Sequence, residues 1–190
     1  MTTHTIPKGD DIATSVVIAA WVAALCLVFQ VGHFIEHFLQ WLVWIINIPA
    51  ICGRDTPWMN PWMVPSLEQF GAWAWSAVPR NVQMARTMEV LHLVGNSIFL
   101  LGLGALLHIK SNKWIRCAFY IEAFHLYEHL MLTVTIFTVG KPIGMSTLFG
   151  GAFLFPDKET TVGIRVTWHF IMNLFPMPLA MIGLMRNGDR

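Results

Sequence analysis

One helix-length segment of the sequence carries glutamate and histidine side chains in a pattern that can bind a metal ion. This segment covers about residues 114–140 and holds Glu122, His125, Glu128 and His129 among Phe, Ile, Leu, Met and Val residues. At about 100° per residue, these four side chains share one face of an α-helix. Ionisable groups are costly in an apolar segment unless they meet partners. We therefore expect other parts of the chain, or a bound group, to supply those partners.

The same residue types recur in the same order in both halves of the chain. The order His-x-x-Glu-His, loop, His-x-x-x-Asn occurs at His33, Glu36, His37, His92 and Asn96, and again at His125, Glu128, His129, His169 and Asn173. Such self-similarity predicts a duplicated unit of two helices, with halves at about residues 12–109 and 114–185. Because the first and third segments then run in the same direction, an axis along the membrane normal should relate the halves.

The composition is that of a membrane protein. The chain has 190 residues, of which 55% are hydrophobic and 12% charged, and its mean hydropathy is +0.57. These values exclude a disordered chain and disfavour an ordinary soluble domain. The net charge of +1 gives no reason to expect nucleic acid as a partner. We expect the lipid bilayer as the main partner, with other membrane subunits or a second copy of the chain as further ones.

Four apolar segments are long enough to cross a bilayer, which takes about 20 residues. They cover about residues 12–48, 82–109, 114–140 and 162–185. The stretch between the first two is rich in Pro and Trp, which predicts an interfacial loop with a short helix near residues 66–77. The predicted fold class is an all-α membrane protein. Its four transmembrane helices form two repeated helical hairpins, and residues 1–190 make one bundle.

Basic residues predict which way the chain crosses the membrane. Lys110, Lys113 and Arg116 cluster on the link between the second and third segments. The positive-inside rule places this link in the cytoplasm. Both termini are then cytoplasmic, both long loops lie outside, and the histidines of all four segments meet in the outer half of the bilayer.

The sequence offers ten candidate metal ligands. They are His33, Glu36, His37, Glu89, His92, Glu122, His125, Glu128, His129 and His169. Glu89-x-x-His92 and Glu122-x-x-His125 have the spacing that di-iron carboxylate bundles place on facing helices. The fourth segment has no glutamate, however, and so many histidines suit copper or zinc as well as iron. We expect one or more metal ions, with iron or copper favoured and zinc as an alternative. Asn96 and Asn173 would donate hydrogen bonds that orient the bound group.

Several functions are compatible with this pattern. The most concrete is a metal-dependent membrane oxidoreductase, in which a dinuclear iron or copper centre activates dioxygen or passes electrons to a small or lipidic substrate. A second is a non-catalytic subunit that holds a metal, haem or pigment in a larger complex. Zinc-dependent hydrolysis, transport of protons or metal ions, and a purely structural polar network are further alternatives. The sequence alone does not decide between an enzyme and a subunit.

Overall fold

The protein is all-helical in the parts that the structure describes. A computed structural model describes residues 9–46, 64–147 and 158–186, and these ranges contain no strand. The helices are α1 (Gly9–Ile46), α2 (Val64–Ala74), α3 (Arg80–Ile109), α4 (Lys113–Thr138), α5 (Met145–Thr147), α6 (Lys158–Leu174) and α7 (Pro176–Met185). The predicted all-α class is therefore confirmed for the described residues. Parts of the two predicted outer loops, residues 49–63 and 148–157, lie outside the described residues.

The long helices begin and end within about one turn of the predicted segments. α6 and α7 together correspond to the predicted fourth segment, and the helix is interrupted between them at Phe175. Pro176 opens α7, because proline has no backbone N–H to continue the hydrogen bonding of α6. The short helix predicted near residues 66–77 is α2, and its position at a membrane surface stays a prediction.

Three stretches are long and apolar enough to span a membrane, which is consistent with a membrane protein. They are Ala13–Ile46, Arg80–Ile109 and Gly163–Met185, the last combining most of α6 with α7. α4 has 26 residues and is also long enough. Its mean hydropathy is lowered by glutamates and histidines in its middle, which are buried against other helices.

The long helices pack around one another as a bundle. α3 packs against α1 and α4, α6 packs against α1, and α4 packs against α6 and α7. A cluster of buried apolar side chains joins four of these helices, and its members are Ala23, Phe99, Leu103, Leu106, Ile115, Ala118 and Ala180. Close to this cluster, a Cβ on Gly102 would lie 2.5 Å from the Cβ of Cys26. The small residue therefore permits the close approach of α1 and α3.

The link before α4 also holds the end of α7. Asn112 caps α4, because its Oδ1 accepts hydrogen bonds from the backbone N–H groups of Trp114 and Ile115, each at 3.1 Å. Its Nδ2 donates to the carbonyl oxygen of Gly183 at 2.8 Å. A Cβ at Gly183 would lie 2.5 Å from a side-chain carbon of Ile115, so this contact requires glycine. One side chain thus joins the middle of the chain to its last described helix.

Candidate metal centre

Six histidines come together between α1, α3, α4 and α6. They form two groups of three, His33, His37 and His92 in the first group and His125, His129 and His169 in the second. Within each group, the candidate ligand atoms lie within 4.8 Å of one another. None of the six side chains is more than 9% exposed. Each group is drawn from one half of the chain.

The two groups are in direct contact. The rings of His92 and His129 stack with their centroids 5.3 Å apart, and those of His37 and His169 stack at 5.9 Å. The six rings therefore form one continuous cluster. Ions held by the two groups would be near enough to act on the same small molecule.

The two histidines that lie one helical turn apart in each group turn the same nitrogen toward each other. The Nε2 atoms of His33 and His37 are 3.1 Å apart, and those of His125 and His129 are 3.2 Å apart. Two nitrogen ligands of a tetrahedral ion, each bound at about 2.0–2.1 Å, are about 3.3 Å apart. The spacing therefore fits chelation of one ion by each pair.

Backbone carbonyls fix the orientation of the third histidine in each group. Nδ1 of His92 lies 2.7 Å from the carbonyl oxygen of Met88, and Nδ1 of His169 lies 2.8 Å from that of Arg165. A proton on Nδ1 makes this hydrogen bond and leaves the Nε2 lone pair free for a metal. The same contact one turn before each histidine makes the two halves alike.

Three of the predicted carboxylate ligands lie on the Nδ1 side of a histidine. The distances to Nδ1 are 4.0 Å from Glu36 to His33, 3.6 Å from Glu122 to His125 and 3.9 Å from Glu89 to His129. These separations are longer than a direct hydrogen bond. They nevertheless correspond to the position of a carboxylate that orients a metal-bound histidine through its other nitrogen. The geometry favours this positioning role for the three carboxylates.

Glu128 has other partners. Its Oε1 accepts hydrogen bonds from the backbone N–H of Ser146 at 2.9 Å and from the hydroxyl of Ser146 at 2.5 Å. Its Oε2 accepts from the backbone N–H of Met145 at 2.5 Å. A Cβ at Gly144 would lie 2.7 Å from Oε1, so the close contact depends on that glycine. These hydrogen bonds connect α4 to the α5 turn. Glu128 is therefore not part of the proposed ligand set.

The two predicted asparagines bind the backbone rather than an imidazole. Nδ2 of Asn96 donates to the carbonyl oxygen of His92 at 2.8 Å, and Nδ2 of Asn173 donates to that of His169 at 2.9 Å. Gln30, which the sequence analysis missed, donates to Oδ1 of Asn173 at 2.8 Å and is fully buried. The feature of the sequence that could have identified Gln30 is its position: it is a polar residue in an apolar segment, three residues before the first histidine of the motif.

A cavity of about 70 Å³ lies beside the cluster. Histidines of both groups line it, together with Gln40, Met88, Glu89, Arg165 and Val166. Arg165 donates a hydrogen bond to Glu89 and forms an ion pair with it. A charged pair and four imidazoles therefore surround a space large enough for a small molecule.

The sequence matches a family of unknown function, DUF6008, over residues 11–187. The chain belongs to this family. No curated protein and no solved structure matches the sequence. Membership of DUF6008 therefore assigns neither an activity nor a ligand, and the function has to be argued from the geometry of the histidine cluster.

Proposed function

We propose that this DUF6008 protein is a metal-binding integral membrane oxidoreductase with two adjacent three-histidine sites. The convergence of six buried imidazoles carries the proposal. Buried polar rings are costly without partners, and a metal ion bound at Nε2 supplies one. In the described part of the chain, Nε2 of His169 is buried without a hydrogen-bond partner. A bound metal ion would explain why this buried nitrogen has no hydrogen-bond partner.

We take copper as the metal of this proposal, because the ligand set is made of imidazoles and the proposed reaction is a redox reaction. With Glu36, Glu89 and Glu122 on the Nδ1 side of histidines and Glu128 bound to the α5 turn, each ion would receive three imidazoles and no carboxylate. Di-iron bundles use carboxylate ligands, whereas imidazoles suit copper and zinc. Unlike zinc, copper changes its oxidation state. Two adjacent copper ions can therefore exchange two electrons with a small substrate.

The packing of α4 supports a fourth transmembrane span. Its buried face holds the polar residues, whereas the side chains of Phe124, Leu130 and Val134 on its exposed face are apolar. It packs against α3, α6 and α7, which belong to stretches of spanning length. The two-hairpin repeat and a cytoplasmic link at residues 110–113 are part of the same proposal. The equivalent histidine contacts in the two halves support the repeat.

Two alternatives are less compatible with the contacts. The histidine rings of the two groups touch one another, so a haem or pigment between them would have to separate the helices. A hydrolase of the His-x-x-Glu-His type needs the glutamate of the motif as a base at the ion. Glu128 instead accepts hydrogen bonds from Met145 and Ser146, and Glu36, in the first copy of the motif, accepts one from Gln40 at 3.2 Å. A non-catalytic metal-holding subunit remains the alternative, and turnover by the isolated protein separates it from an enzyme.

Metal analysis of the purified protein tests the proposal. We expect the wild type to hold two copper ions per chain after growth with copper, and to reduce dioxygen when an artificial electron donor is supplied. His125→Ala and His37→Ala should each lose at least one ion. His108→Ala is the matched control, because His108 is exposed near the end of α3 and lies outside both groups. A wild-type protein without stoichiometric metal would rule the proposal out.

A further inference from the structure

The cavity beside the two histidine groups has room for a small molecule. Its volume is about 70 Å³. A water molecule occupies about 30 Å³ in the liquid, and a cavity that binds benzene measures about 150 Å³. A molecule of a few heavy atoms therefore fits beside the imidazoles.

The wall of this cavity carries a charged pair that connects the two halves of the chain. Arg165 on α6 pairs with Glu89 on α3. The Glu89 side chain is 4% exposed and the Arg165 side chain is 24% exposed, so the arginine forms the more accessible part of the wall. Arg165 is the only basic side chain among the residues described as lining the cavity.

The Arg165 side chain is not needed to orient the histidines next to it. The positions three and four residues before His92 hold Glu89 and Met88, and the corresponding positions before His169 hold Val166 and Arg165. In both halves a backbone carbonyl, not a side chain, accepts the hydrogen bond from Nδ1 of the histidine. The Arg165 side chain is therefore available for another task at the cavity.

We propose that the cavity binds a small inorganic anion, such as azide or nitrite, between the metal ions and the guanidinium of Arg165. This inference rests on the proposed metal centre. Ions held only by neutral imidazoles keep their full positive charge, and in a buried site this charge attracts an anion. A guanidinium has five N–H donors, so Arg165 can bind Glu89 and still present donors to an anion. Glu89 would compete with the anion for the arginine.

Azide titration of the copper-loaded protein tests the inference, with binding followed by the absorption spectrum. Arg165→Gln should weaken azide binding about tenfold or more, because a charge-assisted hydrogen bond is lost. At equal copper occupancy, Glu89→Gln should strengthen azide binding, because the carboxylate that competes for Arg165 is removed. Arg116→Gln is the matched control. Arg116 is exposed and donates a hydrogen bond to Ser111, in the link between α3 and α4. This variant should bind azide as the wild type does.

Carbon monoxide is a neutral ligand of similar size. It tests whether Arg165 acts on a bound ligand through its charge or through the space that its side chain occupies. Arg165→Gln should leave the affinity of the reduced protein for carbon monoxide unchanged. Val166→Leu, which narrows the cavity, should weaken binding of both ligands. If Arg165→Gln does not fold, Arg165→Lys should retain most of the azide affinity, and Glu89→Gln still tests the competition.

The outcomes distinguish this inference from the proposed function. The metal content of every variant is measured beside its affinity. A copper-loaded protein that binds no azide, or an Arg165→Gln variant with unchanged azide affinity, overturns this inference alone. A protein that holds no metal overturns the inference and the proposed function together.

Discussion

The Nε2 atoms of His125 and His129 lie 3.2 Å apart on the buried face of α4. A hydrogen bond between two neutral imidazoles would require one of them to carry its proton on Nε2. The Nδ1 lone pair of that ring would then face the carboxylate of Glu122 or Glu89, at 3.6 or 3.9 Å. A metal ion would remove the conflict, because both Nε2 atoms would be ligands and each Nδ1–H group would point to a carboxylate, at 3.6 or 3.9 Å. The arrangement therefore fits a metal site better than a structural network.

Glu122 should strengthen metal binding through His125 without being a ligand. We expect Glu122→Gln, which keeps the shape of the side chain, to reduce copper affinity about 10- to 100-fold while both ions still bind at saturation. Competition with a copper chelator measures the change. Glu68→Gln is the control, because Glu68 pairs with Arg80 away from the cluster. An equal effect of both substitutions would contradict the assigned role of Glu122.

Glu128 should contribute to stability rather than to metal binding. Glu128→Gln replaces charge-assisted hydrogen bonds to Met145 and Ser146, and each such bond contributes about 1.5–3 kcal/mol. We expect a lower thermal unfolding temperature in detergent and an unchanged copper content of the folded protein. Gly144→Ala should act in the same direction, because a Cβ there would lie 2.7 Å from Oε1 of Glu128. Loss of copper without loss of stability would instead favour Glu128 as a ligand.

If α4 crosses the membrane, its two ends lie on opposite sides. Single cysteines at Ser111 and Lys141, introduced after the native cysteines are replaced by serine, test this with a membrane-impermeant thiol reagent. The positive-inside rule predicts that Ser111→Cys is protected in intact cells and that Lys141→Cys is labelled. Labelling of both positions from the same side would show that α4 does not cross.

Periodicity is enough to predict the helices and which histidines share one face of a helix. The i, i+4 spacing of His33 and His37 places both rings on one face of α1, and the repeated motif does the same on α4. Apolar runs of spanning length located the helix ends to within about one turn. These features depend on local geometry, which the sequence determines directly.

The partners of the glutamates could not be predicted in this way. Spacing placed Glu122 beside His125, but it did not show that the carboxylate lies on the Nδ1 side. Glu128 binds the α5 turn, which is 17 or 18 residues away in the sequence, and no local sequence pattern predicts that contact. Arg165 and Glu89 likewise lie on different helices and meet only when the two halves pack. Tertiary packing, rather than spacing, decides which partner a side chain at a given helical position meets.

X-ray absorption spectroscopy of the copper-loaded protein tests the central claim most directly, because it reports the atoms bound to the metal. The account predicts about three imidazole nitrogens per ion at about 2.0 Å, with the multiple scattering of histidine rings. In the double variant His37→Ala/His129→Ala, which removes one histidine from each group, this imidazole signal should be lost. A spectrum dominated by carboxylate oxygens or sulfur, with no imidazole scattering in the wild type, would contradict the account.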